Sequence, residues 1–292
     1  MVSEQSILLV SAFAKINLAL EVVGIYDNKY HSVKTILQTI GIRDIIEIRH
    51  SNRLKVECDI PSISESNNLV WHAALKLAAR AGIRPKADII IKKQIPIGMG
   101  LGGGSSDAAA ALLALDEFWE LHLDPIELSE IAKELGSDVP FFLQGGTALG
   151  ENRGELITQL PDIPPLELLL VCPNQTIPNK TSTLYSKLMS SNFSDGGITN
   201  RMVSSLLAGQ LPIDIIFNVF ESIAFQNFPL LSDLFQVIAE NIGTQPHLCG
   251  SGPAIFCLPS NRTEFDQLSS CIRNTDSVVY FTNCIESKAV QY

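Results

Sequence analysis

Apolar residues dominate positions 7–23, and within that stretch the chain alternates: Phe13, Lys15, Asn17 and Glu21 fall on one side, Ala14, Ile16, Leu18 and Leu20 on the other. Successive side chains of an extended strand point to opposite faces, so this period of two predicts a β-strand on which Lys15 and Asn17 look the same way. A turn-like stretch at 26–31 leads to extended segments at 32–39, 44–49 and 54–59. Helical periodicity then runs from Asn67 to Ala81, and a short apolar strand is expected at 87–91. Ser105, Ser106 and Asp107 are residue types that open helices, and the alanine-rich run behind them predicts a helix to about His122. A further helix at 125–135 is stopped by Gly136, a short helical turn follows Asp138-Val-Pro140, and Gly145-Gly146 open a loop.

Pro161, Pro164 and Pro165 mark a boundary, which divides the chain into units at 1–160 and 161–292. The second unit opens with the apolar strand 166–171. Helices are expected at 183–189, 200–208, 214–218 and 230–241, and strands around 253–258 and 278–285. No segment repeats at a fixed period, and the one loop-like polar tract lies near 190–197.

With 292 residues, 46% hydrophobic and 18% charged, the chain has ample material for a large core, and its length fits two domains of ordinary size. Its 21 Lys+Arg against 31 Asp+Glu give a net charge of −10, which argues against a general nucleic-acid binder. Cys58, Cys172, Cys249, Cys257, Cys271 and Cys284 are scattered, with no Cys-x-x-Cys pair and no histidine at metal-ligand spacing. Reduced thiols are therefore expected. The opening apolar run follows no basic segment, and Lys15 interrupts it before the roughly 18 residues a membrane span needs. The expectation is a cytoplasmic protein with neither a membrane nor a nucleic-acid partner.

The chemistry concentrates at Pro96-Ile-Gly-Met-Gly-Leu-Gly-Gly-Gly-Ser-Ser-Asp. Five of the seven residues from Gly98 to Gly104 are glycine, so backbone N–H groups can turn inward with no Cβ in the way of a phosphate. The N-terminus of the following helix adds partial positive charge. Gly98 to Gly103 formally fits a dinucleotide fingerprint, but the acidic residues about 20 positions on, Asp116, Glu117 and Glu120, fall inside the predicted helix instead of at a strand end. A Walker loop would end in Gly-Lys-Ser/Thr, whereas Gly104 runs straight into Ser105. A bound nucleotide must then be met by backbone amides, by Ser105 or Ser106, by a metal, and by lysines from elsewhere such as Lys15 and Lys93.

This loop resembles the signature of the GHMP small-molecule kinases, and Ala14-Lys-Ile-Asn-Leu and Cys249-Gly-Ser-Gly-Pro-Ala-Ile-Phe resemble that superfamily's first and third motifs, in the right order. Lys15-Ile-Asn-Leu, Tyr30-His31, Gly136-Ser-Asp-Val-Pro-Phe-Phe-Leu and Gly145-Gly-Thr-Ala with Arg153-Gly-Glu are similar to the branch that phosphorylates the 2-hydroxyl of a cytidine-diphosphate-bearing methylerythritol in non-mevalonate isoprenoid biosynthesis. The resemblance spans about residues 12 to 258 and thins out between 160 and 245.

The resemblance implies an α+β fold with an N-terminal domain like ribosomal protein S5 domain 2 and a ferredoxin-like C-terminal domain, the site lying between them; the residue pattern alone would also suit a doubly wound sheet. It implies ATP as co-substrate, with Mg²⁺ carried on phosphate oxygens and water, and a small-molecule acceptor bearing a cytidine diphosphate group. The family's base maps to Asp138 and its partner lysine to Lys15. The ATP-binding set maps to Pro96, Gly98, Gly100, Leu101, Gly102, Gly103, Gly104, Ser105 and Ser106, with Asn67 and Lys93, and acceptor contacts map to Asn17, Tyr30, His31 and Asp138. Gly250, Ser251 and Gly252 would close over the site, and no dedicated metal ligands are implied. Monomer and homodimer both stay open.

Several bland readings compete. Asp138 could be only a helix N-cap, Lys15 and Lys93 solvated side chains, Tyr30-His31 an ordinary turn and Gly250–Gly252 a tight turn before a strand. Asn28-Lys29 stand where the family has Asp-Gly before Tyr-His, and Asn152 replaces the glycine before Arg153, whose role reads as structural. The rival functions are a GHMP kinase for homoserine, mevalonate or a sugar, a non-catalytic nucleotide-binding regulator, and a dinucleotide-dependent oxidoreductase.

Overall fold

The structure, a computed structural model, describes residues 7–27, 30–61, 63, 67–175, 177–241, 243, 245–259, 261–272 and 275–287. Two long strands, β1 (Leu8–Ile25) and β2 (His31–Arg49), pair antiparallel from Leu8 opposite Ile48 to Ile25 opposite His31. The sequence pattern gives two segments, 32–39 and 44–49, on either side of Gly41. That glycine is instead a point of close approach: a Cβ there would lie 3.0 Å from Thr282 Oγ1 and 3.1 Å from Asn283 Oδ1. β3 (Lys55–Cys58) crosses through helix α1 (Leu69–Ala81) to the parallel strand β4 (Asp88–Lys92), which pairs antiparallel with β2. Asn68 caps α1 by accepting from Val70 N at 2.9 Å, and Gly82 ends it in the left-handed conformation.

Helices α2 (Gly103–Phe118), α3 (Pro125–Leu135) and α4 (Val139–Phe142) cover the same face of this sheet. In α2, Ala108, Ala109, Ala111 and Ala114 are fully buried, and their small side chains let the helix seat close to β1 and α1. The α3 bounds match the sequence reading, with Asp124 accepting from Ile126 N at 2.7 Å and Pro125 at the first position. β5 (Thr147–Glu151) and β6 (Leu156–Gln159) form a hairpin that the sequence pattern did not reveal, and β5 pairs with β2 at Thr35 to Gln38.

β7 (Glu167–Pro173) begins a second, wholly antiparallel sheet. It is completed by β9 (His247–Leu248), β10 (Ile255–Cys257) and β11 (Ser277–Asn283), in the order β11-β7-β10-β9. Leu168, Leu170 and Cys172 pack toward Ala14, Ile16 and Leu18 of β1, while Leu169 and Val171 pack toward helices on the far side. Burial on both faces explains why β7 reads as an unbroken apolar run. The far side is covered by α5 (Lys180–Ser186), α7 (Phe220–Asn227), α8 (Pro229–Ala239) and α9 (Arg262–Ile272), and α6 (Gly197–Leu207) flanks the layer between the sheets. The result is α+β, with helix, sheet, sheet and helix stacked in four layers.

The expected helix at 214–218 is corrected. Ile213–Ile215 forms one 3₁₀ turn, and β8 (Phe217–Asn218) adds parallel to β1 at Ala19 and Leu20. The segment is too short for a helix and rich in β-branched isoleucine, which suits extended pairing. α7 and α9 also escaped the sequence reading. Most of the first sheet comes from residues up to Gln159 and all of the second from Glu167 onward, but β8 crosses that division. Among the described residues no helix is long and apolar enough to cross a membrane.

Candidate active site

The predicted common face of Lys15 and Asn17 is present, and it is buried: the two residues are each 4% exposed. Lys15 Nζ donates to Asn17 Oδ1 at 2.8 Å, Asn17 Nδ2 donates to Thr35 Oγ1 at 2.8 Å, and Thr35 Oγ1 donates to the Ala19 carbonyl at 2.6 Å. This relay fixes the lysine's direction. Its ammonium has Asp138 Oδ2 3.9 Å away. Asp138 stands at the start of α4, yet its carboxylate makes no capping bond there, so the N-cap reading has no hydrogen bond to support it.

The glycine-rich loop is a wall shared by two cavities. One, of about 780 Å³, holds Lys15, Asn17, Asp138, Tyr30 and His31; the other, of about 410 Å³, holds Asn67, Asn68, Lys93 and Pro96. Gly98, Gly100, Gly102 and Ser105 line both, whereas Leu101, Gly103 and Gly104 face only the second. A group bound on one side of the loop is thus next to a group bound on the other. Gly100 has φ +82, and a Cβ on it would fall 2.0 Å from the Cys249 carbonyl oxygen, so only glycine lets this loop dock on the 249–252 loop. α2 starts at Gly103, two residues before the expected Ser105, and no side chain caps it. Its first backbone N–H groups therefore stay available to an anion.

The two serines differ. Ser105 lines both cavities, while Ser106 is 2% exposed and donates its hydroxyl to the Phe13 carbonyl at 2.6 Å, tying α2 to β1. Two backbone hydrogen bonds and one close approach bring the three motifs together: Lys15 N donates to Leu101 O at 3.0 Å, Ala254 N donates to Met99 O at 3.3 Å, and a Cβ on Gly250 would lie 3.2 Å from Lys15 Nζ and 3.3 Å from Asn17 Oδ1. Asn218 holds the third loop, donating to the Leu248 and Gly250 carbonyls at 2.8 and 2.7 Å.

In the larger cavity the aromatic end gathers residues from distant parts of the chain. His31 lies 4.9 Å from the ring of Tyr185, which in turn packs edge-on to Phe220 at 4.8 Å, and the Arg153 guanidinium sits 5.3 Å over the Tyr30 ring. Burial lowers the pKa of His31, favouring the neutral imidazole that can both donate and accept. Burial, aided by the Asp138 charge, pushes the Tyr185 hydroxyl up to about 12. Asn28 and Lys29, on which the departure from the family's loop rests, lie outside the described residues.

In the smaller cavity Lys93 is committed. Its ammonium donates to Asp107 Oδ2 at 2.6 Å and to Asp44 Oδ2, and all three side chains are at most 6% exposed. Burial, with the Asp44 charge, pushes Asp107 up to about 7 against the pull of Lys93, while the two carboxylates hold the lysine above its usual value against its own burial. Lys93 thus anchors the floor beneath the loop. Among the described residues no group of three or more His, Cys, Asp and Glu side chains could hold a metal; the one hydroxyl facing both cavities from the loop is that of Ser105.

Tyr185, Arg153, Lys180 and Thr181 line the larger cavity without having been read as site residues. Three of them lie on α5, in the stretch where the sequence carries no recognisable motif, and α5 starts at Lys180, three residues before the helix expected at 183–189. Arg153, whose sequence context reads as structural, lines the cavity as well.

Residues 68–146 match the family described as GHMP kinases N terminal domain. The chain is similar to a 4-diphosphocytidyl-2-C-methyl-D-erythritol kinase of Pelotomaculum thermopropionicum, 37% identical over 93% of this chain and 96% of that one. It is likewise similar to the protein of the same name from Dehalococcoides mccartyi, 35% identical over 87% and 90%. A crystal structure of a 4-(cytidine 5'-diphospho)-2C-methyl-D-erythritol kinase superposes with a TM-score of 0.79 at 28% identity, covering 95% of this chain and 99% of that one. A homoserine kinase from Cytophaga hutchinsonii shares the fold with a TM-score of 0.75 at 17% identity over 98% of both chains.

Proposed function

The chain belongs to the 4-diphosphocytidyl-2-C-methyl-D-erythritol kinases of the GHMP superfamily and is a small-molecule phosphotransferase, and from that premise we propose that it phosphorylates the 2-hydroxyl of 4-diphosphocytidyl-2-C-methyl-D-erythritol with ATP, in non-mevalonate isoprenoid biosynthesis. The observation that carries this reading is the loop shared by two cavities, with Lys15 and Asp138 3.9 Å apart on the acceptor side. ATP occupies the smaller cavity with its phosphates on the amides of 98–105, and Mg²⁺ enters with it as part of the substrate. Asn67 and Pro96 line the nucleotide's side of the wall. The acceptor's pyrimidine lies among Tyr30, His31 and Tyr185, where aromatic faces can stack on it and the imidazole can read its polar edge.

Phosphoryl transfer asks chiefly for alignment and for stabilisation of charge. Asp138 accepts the proton of the hydroxyl as its oxygen bonds to the γ-phosphorus; the bond to the β,γ-bridging oxygen breaks and ADP leaves. Lys15, aimed by Asn17 and Thr35, neutralises charge on the attacking oxygen and the transferred group. Gly250 and Ser251 close the acceptor side against the phosphate loop. The 1–160 and 161–292 units supply the two walls of the larger cavity.

The test is ADP release with Mg-ATP and, in parallel, diphosphocytidyl-methylerythritol, mevalonate, homoserine and galactose. Turnover with the cytidyl acceptor alone is expected, and turnover with one of the others alone would overturn the acceptor assignment. Asp138→Asn should cut kcat by about 10²-fold or more with ATP affinity nearly unchanged. A near-wild-type rate would remove Asp138 from the role of base.

A further inference from the structure

The acceptor cavity carries positive charge that its described neighbours leave uncancelled. Among its described lining residues Lys15, Arg153 and Lys180 are cationic and Asp138 alone is acidic, in a chain of net charge −10. Lys15 has Asp138 at 3.9 Å, and Arg153 has Glu155 at 3.6 Å. Lys180 has neither. Its Nζ donates to Ser251 Oγ at 3.2 Å and to the Gly252 carbonyl, and among the described residues no carboxylate lies within ion-pair distance of it. The residue is only 8% exposed, and its charged neighbour is another cation, Lys15. Burial, then Lys15, lowers its pKa to about 8. A buried ammonium facing a like charge is unfavourable on its own, and a ligand that brings the missing anion relieves it.

We infer that Lys180, with the hydroxyls of Ser251 and Thr181 beside it, binds a phosphate group of the molecule that fills the acceptor cavity, namely the diphosphate of a nucleoside diphosphate ester. The two hydroxyls are 2.8 Å apart, so one can donate to the other and leave a proton for the ligand. The diphosphate follows from the direction of α5. Lys180 sits at the end of the cavity formed by the 250–252 loop, and Tyr185, five positions on or about 7.5 Å along a helix, sits at the aromatic end. A pyrimidine among Tyr30, His31 and Tyr185 places the phosphates that follow its ribose along that interval. The other source of the same chemistry is the γ-phosphoryl group passing Lys15. This inference rests on the larger cavity being the acceptor site of the kinase.

The test uses the full chain and the variants Lys180→Met and Lys180→Arg, with calorimetric titration of cytidine diphosphate, of cytidine and of a non-hydrolysable Mg-ATP analogue, and with steady-state kinetics. Lys180→Met should weaken cytidine diphosphate binding by about tenfold to hundredfold, the range for losing a hydrogen bond to a charged group, and leave cytidine and the ATP analogue within about twofold. The acceptor KM should rise by the same factor with kcat little changed, and Lys180→Arg should recover most of the affinity. A fall in kcat with cytidine diphosphate binding intact would give the lysine to the γ-phosphoryl and overturn the assignment to the diphosphate. Equal loss of cytidine and cytidine diphosphate would mean that Lys180 only props the 250–252 loop, and equal wild-type affinity for the two ligands would mean that the cavity does not read the diphosphate; either result overturns the inference. Wild-type turnover of the cytidyl acceptor tests the reaction itself separately from these variants.

Discussion

Lys93 and Lys15 both come near the glycine loop, and their partners set them different tasks. Lys15 leans on a neutral amide and keeps a half-exposed carboxylate at 3.9 Å, so its charge is free to meet a ligand. Lys93 is held between Asp44 and Asp107, both buried, and Asp44 Oδ1 also accepts from Ile95 N at 2.8 Å. Removing the lysine would leave two carboxylates facing one another out of water. Lys93→Met should therefore lower unfolding free energy by about 3–5 kcal/mol, the usual penalty for breaking a buried ion pair from one side. Urea denaturation reads this directly; a variant within about 1 kcal/mol of wild type but deficient in ATP binding would show that the lysine serves the nucleotide instead. None of this was legible from spacing. Lys93 follows Lys92 in an apparently solvated pair, and its partners lie 49 positions before it and 14 after it. The Lys15 and Asn17 pair was legible, because two residues apart in a strand is a local relation that packing preserves.

At the level of elements, the glycine loop was readable as a phosphate cradle, while part of its glycine content answers to a different need. Gly100 and Gly102 take positive φ and press against protein: a Cβ at Gly100 meets the Cys249 carbonyl at 2.0 Å, and one at Gly102 meets the Phe142 ring at 2.7 Å. Gly104 is ordinary by comparison, with its nearest contact at 3.9 Å and a place in the first turn of α2. Thermal melting should separate them. Gly100→Ala should destabilise the fold and detach the third loop, with activity down by about 10²-fold or more, whereas Gly104→Ala should melt within a few degrees of wild type, since alanine is the better helix former. If Gly100→Ala melts like the wild type, the docking of the two loops is not what demands glycine there. The contrast also explains which elements could be read in advance. α1 and α3 announce themselves through Asn68, Asp124, Pro125 and Gly136, all local signals. β5 and β6 carry no such signal; they are strands because Thr35 to Gln38 of β2 offers an edge to pair with, and that edge is created by the fold.

For the whole molecule, the decisive connection is β8. Its two residues pair with Ala19 and Leu20, two positions beyond Asn17 on the strand that carries Lys15, and they come from the half of the chain that also supplies the second sheet. Asn218 uses that position in full: its amide N–H groups reach the Leu248 and Gly250 carbonyls, and its Oδ1 accepts from Phe220 N at 3.0 Å. One buried side chain thus fixes the third motif relative to the first, across the two sheets. A helix at 214–218 would have lost this tie, and no window of sequence around Asn218 could reveal it, because all its partners except Phe220 lie about 30 positions away or on β1. Asn218→Ala leaves two buried carbonyls without donors and should cost about 1–3 kcal/mol for each one left unsatisfied. Asn218→Asp should be worse, since it turns an acceptor toward both carbonyls. Because the loop they hold abuts Lys15 and Asn17, kcat/KM should fall by about tenfold or more in either variant, under conditions where circular dichroism shows the protein still folded. Wild-type kcat/KM in folded Asn218→Asp would mean that the third loop keeps its place without β8, and that the two halves are joined at the site by packing alone.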